Sequence, residues 1–498
     1  MRQEVLRLER VSCQEGGVSQ LVGFNLSVLA GEIIGLLPLD NHGLTALLRL
    51  LQGRIPLRYG YMYYREEQVD TWRNPKQRAR RRGMIQSESC LVEGLTVTDN
   101  IFVLRPRSKS WLLRPSALQK QLMPFLESIG IRIPIDAYVE DLSAFEKVVV
   151  DVLKSVVAGH RLIVLRDISA DICEAELEKI HGLMRHYAGH GFSFLYIDFH
   201  FEELRRVCDK LALMSNGRIV KVLHGPALTP DSLRSYTRAY SDKIRKHIDC
   251  YAPVVGEKVP VVEAREVTGD HVEGLNFTAA SGECVVLQSS DDQVYGELLS
   301  ILAGERAPHS GEMLVDGRAA APLVVGGDVA LIQELPTKTM LYNEMDYLDN
   351  LCFLLDRRMP EIWRDQGMRQ GIRREYAAEL GEDVFDKRVD MLSEAQKYEL
   401  VYTRVAIGKP KAVFCVQPFR QAYMDLRMHI WGLIRRLLDS GMAVVILTVN
   451  LADSLPLADR LVRIRKGQPD EVYPRGDFQA MPIDAPWIEL FRRYGNNR

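Results

Sequence analysis

The chain repeats itself once, and the repeat unit is the size of a whole domain. From Gly31 to Gly53 the sequence GEIIGLLPLDNHGLTALLRLLQG runs as an apolar strand, a short polar loop and an amphipathic helix. From Leu275 to Arg318 a second strand-loop-helix opening follows the same plan. Later segments pair off in the same order: DLSAFEK (Asp141–Lys147) with MLSEAQKYEL (Met391–Leu400), and RLIVLRDISADI with KAVFCVQPFRQA (Lys411–Ala422). The period is roughly 250 residues, too long for a solenoid repeat and right for two tandem α/β domains. The first loop has the frame of a phosphate-binding loop, G-x-x-x-x-G-K-[ST], whose amides cradle phosphate oxygens and whose lysine reaches the β- and γ-phosphates. Here Pro38 stands at the first glycine and Asn41 follows in the loop; Gly43 and Thr45 remain, and Leu44 takes the place of the lysine.

The company this loop keeps resembles the ATP-binding cassette domain of ABC transporters, element by element. MIQSESCLVEGLTVTDNIFV resembles the Q-loop region, with Gln86 as its glutamine, and VALIQELPT supplies Gln333 in the second half. The LSAFE and LSEAQ runs resemble the LSGGQ signature, and the RLIVLRD and KAVFCVQ runs resemble the Walker B strand. FSFLYIDFHFEELRRVCDKLALMSNGRIVK and MAVVILTVNLADSLPLADRLVRIRKGQ resemble the switch strand with its terminal hairpin. The tandem arrangement is similar to the ATP-binding subunits of ribose/galactose-type sugar importers. The resemblance implies two P-loop-type domains, each with a mixed or parallel sheet core, an antiparallel β subdomain and a helical subdomain. The first is expected over residues 1–230, a linker over 231–260 and the second over 261–498. Two helical insertions, Glu93 to Asp141 and Met345 to Val389, accompany the Q-loops. In the family this region receives a cytoplasmic helix of the permease.

Composition fits a cytoplasmic protein of this kind. The chain has 498 residues, 47% hydrophobic and 26% charged, with a formal net charge of −2, which is ordinary for globular domains. No apolar run approaches the ~18 residues of a membrane span. The N-terminus, RQEVLRLERV, does not read as a signal peptide. Eight cysteines are scattered without a C-x-x-C pair, and read as small buried hydrophobes in a reducing compartment.

The residues that would carry ATP chemistry are replaced in both halves. In the family, hydrolysis needs charge to neutralise the phosphates, Mg²⁺ to bridge them, a base to position water and a donor on the γ-phosphate. In the first half Leu44 removes the lysine, Arg166 stands at the Mg²⁺-supporting aspartate, Asp167 at the catalytic glutamate and Phe199 at the switch histidine. The adjacent His200, read as part of a strand, points to the opposite face. No aromatic residue at Cys13 to Glu15 is placed to stack on adenine. In the second half Tyr295 stands at the lysine, Val416 and Gln417 at the Walker B pair and Val449 at the switch histidine. Asp291, Asp292 and Glu297 are expected to put carboxylates where phosphates would lie. In the signatures Phe145 is expected to block the close approach that glycine permits. Ser393 and Gln396 are kept, with Glu394 and Ala395 at the glycines.

The reading is therefore of a catalytically degenerate cassette pair, with no catalytic residues, metal or obligatory cofactor. The vestigial catalytic positions are Asp167, Phe199, Gln417 and Val449. ATP binding without hydrolysis would fall to Asn41, Gly43, Leu44, Thr45, Gln86 and Arg166, and to Tyr295, Gln333, Ser393 and Gln396 in the second half. Arg166 reads either as a resident cation for an anion at the loop amides or as a salt bridge to Asp40 or Asp167, the latter preferred. The basic run RNPKQRARRRG (Arg73–Gly83) reads as a solvated surface ahead of membrane contact, with nucleic acid last. His200 with Glu203 reads as a surface-helix pair, not a metal site. The expected partners are a membrane permease subunit or an active homologous ATPase, with peripheral association at the cytoplasmic membrane face. A divergent but active importer subunit and a soluble nucleotide-sensing module are the alternatives.

Overall fold

The computed structural model describes residues 3–15, 18–69, 82–84, 91–102, 120, 123–124, 126–128, 130–229, 232–233, 235–236, 242, 259–289, 291–319, 327–353, 366–451, 453–465 and 467–481. It divides into two compact units, Met1–Asp242 and Lys243–Arg498.

Each unit holds two sheets. In the first, β1 (Glu4–Glu15), β2 (Val18–Leu29), β4 (Tyr59–Tyr64) and β5 (Glu67–Gln68) form an antiparallel sheet in the order β2-β1-β4-β5. A six-stranded sheet in the order β10-β9-β3-β8-β7-β6 is built from β3 (Ile33–Pro38), β6 (Arg82–Met84), β7 (Leu162–Arg166), β8 (Ser193–Ile197), β9 (Lys210–Ser215) and β10 (Arg218–His224). Its strands are parallel except for the edge hairpin β9–β10. The sequence explains the difference between the two sheets. β2 alternates buried and open residues along its inner half, as a sheet with one wet face requires. β3, β7 and β8 are continuous apolar runs, IIGLLP, LIVLR and SFLYI, buried almost throughout, because helices cover both faces of a parallel sheet.

The second unit repeats this plan. β11 (Pro260–Thr268), β12 (Leu275–Ala280), β14 (Ser310–Val315) and β15 (Arg318–Ala319) pair as β12-β11-β14-β15. β13 (Cys284–Ser289), β16 (Val329–Ile332), β17 (Ala412–Val416), β18 (Ala443–Thr448), β19 (Arg460–Arg465) and β20 (Gln468–Pro474) pair as β16-β17-β18-β13-β19-β20. The repeat extends to single hydrogen bonds. Asn25 Oδ1 accepts from the Arg10 N–H and Asn276 Oδ1 from the Glu266 N–H, each at 2.9 Å. Asp209 Oδ2 accepts from the Ile33 N–H and Asp459 Oδ2 from the Cys284 N–H, each at 2.8 Å. Arg10 and Glu266 both hold positive φ, 49° and 48°.

The helical layer is described in part. The first unit shows helices Val97–Phe102 and Ala144–Val157, the second Tyr347–Cys352, Gln366–Leu380 and Glu394–Ile407. The basic run Arg73–Gly83 lies outside the described residues except at its end, which enters β6. Among the described residues, no helix is long and apolar enough to cross a membrane.

Candidate functional site

The loop after β3, the turn after β7 and the segment after β8 lie at one end of three neighbouring strands, in the order β3-β8-β7. This is where an open α/β sheet presents a ligand crevice. Gly43 caps the helix Leu44–Leu51 with φ 83°. A Cβ there would lie 2.4 Å from the Gln20 carbonyl oxygen and 2.9 Å from the Gly217 Cα, so only glycine fits. Leu44 is fully buried, while Asn41 and Thr45 are exposed. Asp40 ties the loop shut on itself. Its Oδ1 accepts from the His42 N–H at 2.9 Å; its Oδ2 accepts from the Ser215 hydroxyl at 2.7 Å and the Asn216 N–H at 2.8 Å. A carboxylate therefore takes up donors in the loop and in the β9–β10 turn.

The second unit goes further, because a side chain occupies its loop. Tyr295 is buried, and its hydroxyl accepts from the Ser289 N–H. The same hydroxyl faces the carbonyl oxygens of Leu287 (3.2 Å), Ser289 (3.2 Å) and Thr448 (2.5 Å). Two further loop donors are also satisfied internally. The Asp291 N–H donates to Ser289 Oγ at 3.1 Å and the Gln293 N–H to Asp291 Oδ1 at 2.9 Å. Amides that would cradle an anion are thus turned onto neighbouring side chains. Tyr295→Phe removes the hydroxyl and strands the Ser289 N–H. The expected cost to the second unit is about 1–3 kcal/mol, read by chemical denaturation; a change within error would show that the hydroxyl does not hold the loop.

The turns that follow β7 and β17 keep one backbone shape with different side chains. Asp167 has φ 51° and donates its N–H to the Ile197 carbonyl at 2.8 Å; Gln417 has φ 42° and donates to Leu447 at 2.8 Å. Arg166, at the end of β7, is half-buried.

No family model matches the chain. It is 24% identical over 479 residues to "Ribose import ATP-binding protein RbsA 2" of Rubrobacter xylanophilus, covering 93% of this chain and 91% of that protein. It is 23% identical to "Putative ribose/galactose/methyl galactoside import ATP-binding protein 3" of Agrobacterium fabrum, covering 96% and 97%. Among solved structures, "RNase-L Inhibitor" matches with a TM-score of 0.58 at 14% identity, over 94% of this chain and 90% of that one. Over nearly its whole length the chain resembles ribose-type import ATP-binding subunits.

Several expectations for the cassettes need correction. Phe145 does not stand out from the first signature. Its ring is buried in the core of its own unit, with Lys179 Nζ 5.5 Å from its centre, because the helix Ala144–Val157 turns that position inward. Glu297 does not face the phosphate loop. It is buried and accepts from the Asp270, His271 and Val272 N–H groups at 2.7, 2.6 and 3.0 Å, which draw its carboxylate sideways; those bonds hold its pKa below the usual range despite burial. Asp291 is spent as a helix cap, and the side chain of Asp292 lies outside the described residues. His200 is not on a strand, since β8 ends at Ile197. It precedes the helix Phe201–Val207, with its N–H and ring Nδ1 on Asp198 Oδ1 at 2.9 and 3.2 Å. Glu203 is not a surface residue but fully buried. Among the described residues no cluster of three or more His, Cys, Asp or Glu side chains is placed to hold a metal.

The other positions fall as follows. Phe199 and Val449 are buried. Gln86 lies outside the described residues, and Gln333 is exposed just past β16. Ser143 and Ser393 cap their helices in capping boxes with Glu146 and Gln396. Sequence reasoning missed the Asp40 knot and the seated Tyr295 hydroxyl. A tyrosine on a loop-helix junction carries no local signal of where its ring goes.

Proposed function

We propose that this cassette protein is a non-hydrolysing subunit that docks on a sugar-type membrane permease, or on an active homologous ATPase, at the cytoplasmic face. The similar proteins from Rubrobacter and Agrobacterium carry import ATP-binding names over nearly their whole length, which supports a transport setting. The observation that carries the non-hydrolysing reading is the pair of self-satisfied loops. Tyr295 fills the second, and the first has a buried Leu44 and an Asp40 that accepts from the His42 and Asn216 N–H groups. With no lysine in either loop and no Walker B carboxylate at Arg166 or Val416, neither phosphate charge nor Mg²⁺ has a counterpart. Losing one transition-state donor already costs ~10²–10³ in rate. Coupling to the partner would then run through occupancy and contact.

The alternative is a divergent, active importer subunit, favoured by the carboxylate kept at Asp167 in the expected turn. Calorimetric titration of the full chain with ATP, with and without Mg²⁺, together with phosphate release, separates the two. The expected result is no heat up to millimolar nucleotide and no turnover. Micromolar binding with Mg²⁺-dependent turnover that Asp167→Ala abolishes would establish the active reading instead.

A further inference from the structure

The two units differ sharply at one buried carboxylate. In the second unit Asp453, just after β18, meets Arg427 Nη1 at 3.1 Å, and both side chains are almost wholly buried. The helix Met424–Asp439 also donates the Trp431 Nε1–H to the Asp453 carbonyl at 2.8 Å. The buried carboxylate is thus held directly against a guanidinium.

The first unit places Glu203 at the matching position, in the helix Phe201–Val207, and the facing helix offers it no such arginine. The facing helix Glu174–Gly189, also 16 residues long, has Leu177 where its counterpart has Arg427, and His181 where it has Trp431. Glu203 is fully buried, and among the described residues neither carboxylate oxygen has a hydrogen-bond partner. His181 Nε2 stands 3.7 Å away, itself 2% exposed, and Arg206 Nη1 stands 3.9 Å away. The other ionisable groups around the pair are Glu174 and Arg185 on the facing helix, Tyr196 and Asp198 at the end of β8, and His200. Asp198 is a second buried carboxylate, so two anions here would repel in a dry site.

We propose that Glu203 and His181 form a proton-operated latch: with the proton on Glu203 the helix Phe201–Val207 seats against the helix Glu174–Gly189, and its loss loosens the segment Asp198–Val207. That segment holds Phe199, the vestigial switch position, so the first unit responds to pH without nucleotide.

The direction follows from linkage. Burial and then Asp198 raise the Glu203 carboxyl to about 7, and burial and then Arg185 lower His181 to about 4. The seated pair therefore holds one proton between these values. Glu203 contributes stability that is present at low pH and lost as pH rises through about 7. His181 works the other way, its neutral form being favoured as pH rises from about 4 towards its ordinary 6.5. The balance is a net loss of seating close to neutrality.

Hydrogen exchange of the 201–207 amides in the full chain, corrected for intrinsic rates at pH 6 and pH 8, tests this. Protection should fall about two- to threefold with rising pH in the wild type. In Glu203→Gln only His181 titrates, and protection should rise about fourfold. A wild type whose protection rises, or a variant that keeps the wild-type fall, overturns the latch. An infrared titration of the wild type gives an independent reading: a protonated-carboxyl band should fade with a midpoint near 7, present in the wild type and missing from the variant. Its absence from the wild type overturns the latch as well.

Discussion

Arg427→Met is expected to lower the stability of the second unit by about 3–5 kcal/mol, as removing one partner of a buried ion pair does. Arg427 is 4% exposed, and its guanidinium meets Asp453 at 3.1 Å and donates through Nε to the Ala422 carbonyl at 2.6 Å. Methionine fills similar volume but leaves Asp453 buried without its counter-charge. Chemical denaturation of the full chain, followed by Trp431 fluorescence, reads the loss. The double variant Arg427→Met, Asp453→Leu should recover most of it, since the penalty is an uncompensated charge and not lost volume. A single-variant loss below about 1 kcal/mol would mean that water reaches Asp453 and that the pair behaves as an exposed one.

Gly43→Ala is the second large effect. The left-handed φ of 83° costs an alanine about 1–2 kcal/mol. The added Cβ would also press on two stretches of main chain, at Gln20 and Gly217, neither of which is a side chain that can swing aside. A total loss above about 2 kcal/mol is expected. The readout is the melting transition of the first unit with the second as internal reference. An unchanged first transition would mean that the loop between β3 and the helix Leu44–Leu51 stands away from the β2 and β9–β10 backbones.

Much of the architecture was readable before any coordinates. The short apolar runs IIGLLP, LIVLR, AVFCV and AVVILT, rich in β-branched residues, read as strands of a sheet covered on both faces, and their order repeats. The capping boxes at Ser143 and Ser393 show in the S-x-x-E/Q spacing. The failures share one cause. Phe145, Glu297 and Glu203 were assigned by position along the chain, but each side chain points where the tertiary environment takes it. Phe145 goes to the core, Glu297 to three amides of a distant loop, and Glu203 to a histidine 22 positions earlier. A residue type declares its chemistry; its direction off the helix depends on a partner that local spacing does not reveal. The difference between the Arg427–Asp453 and His181–Glu203 pairs was hidden for the same reason.

The left-handed turns at Asp167 and Gln417 have a consequence for redesign. What the sheet takes from each position is the main-chain N–H, given to Ile197 or Leu447. Both side chains are also buried, 2% and 9% exposed, so a replacement must fit that space as well as the left-handed conformation, which glycine and asparagine accept most readily. Any group installed at these two places has to satisfy the turn and its buried surroundings together, so the backbone shape alone does not set what chemistry the site can carry.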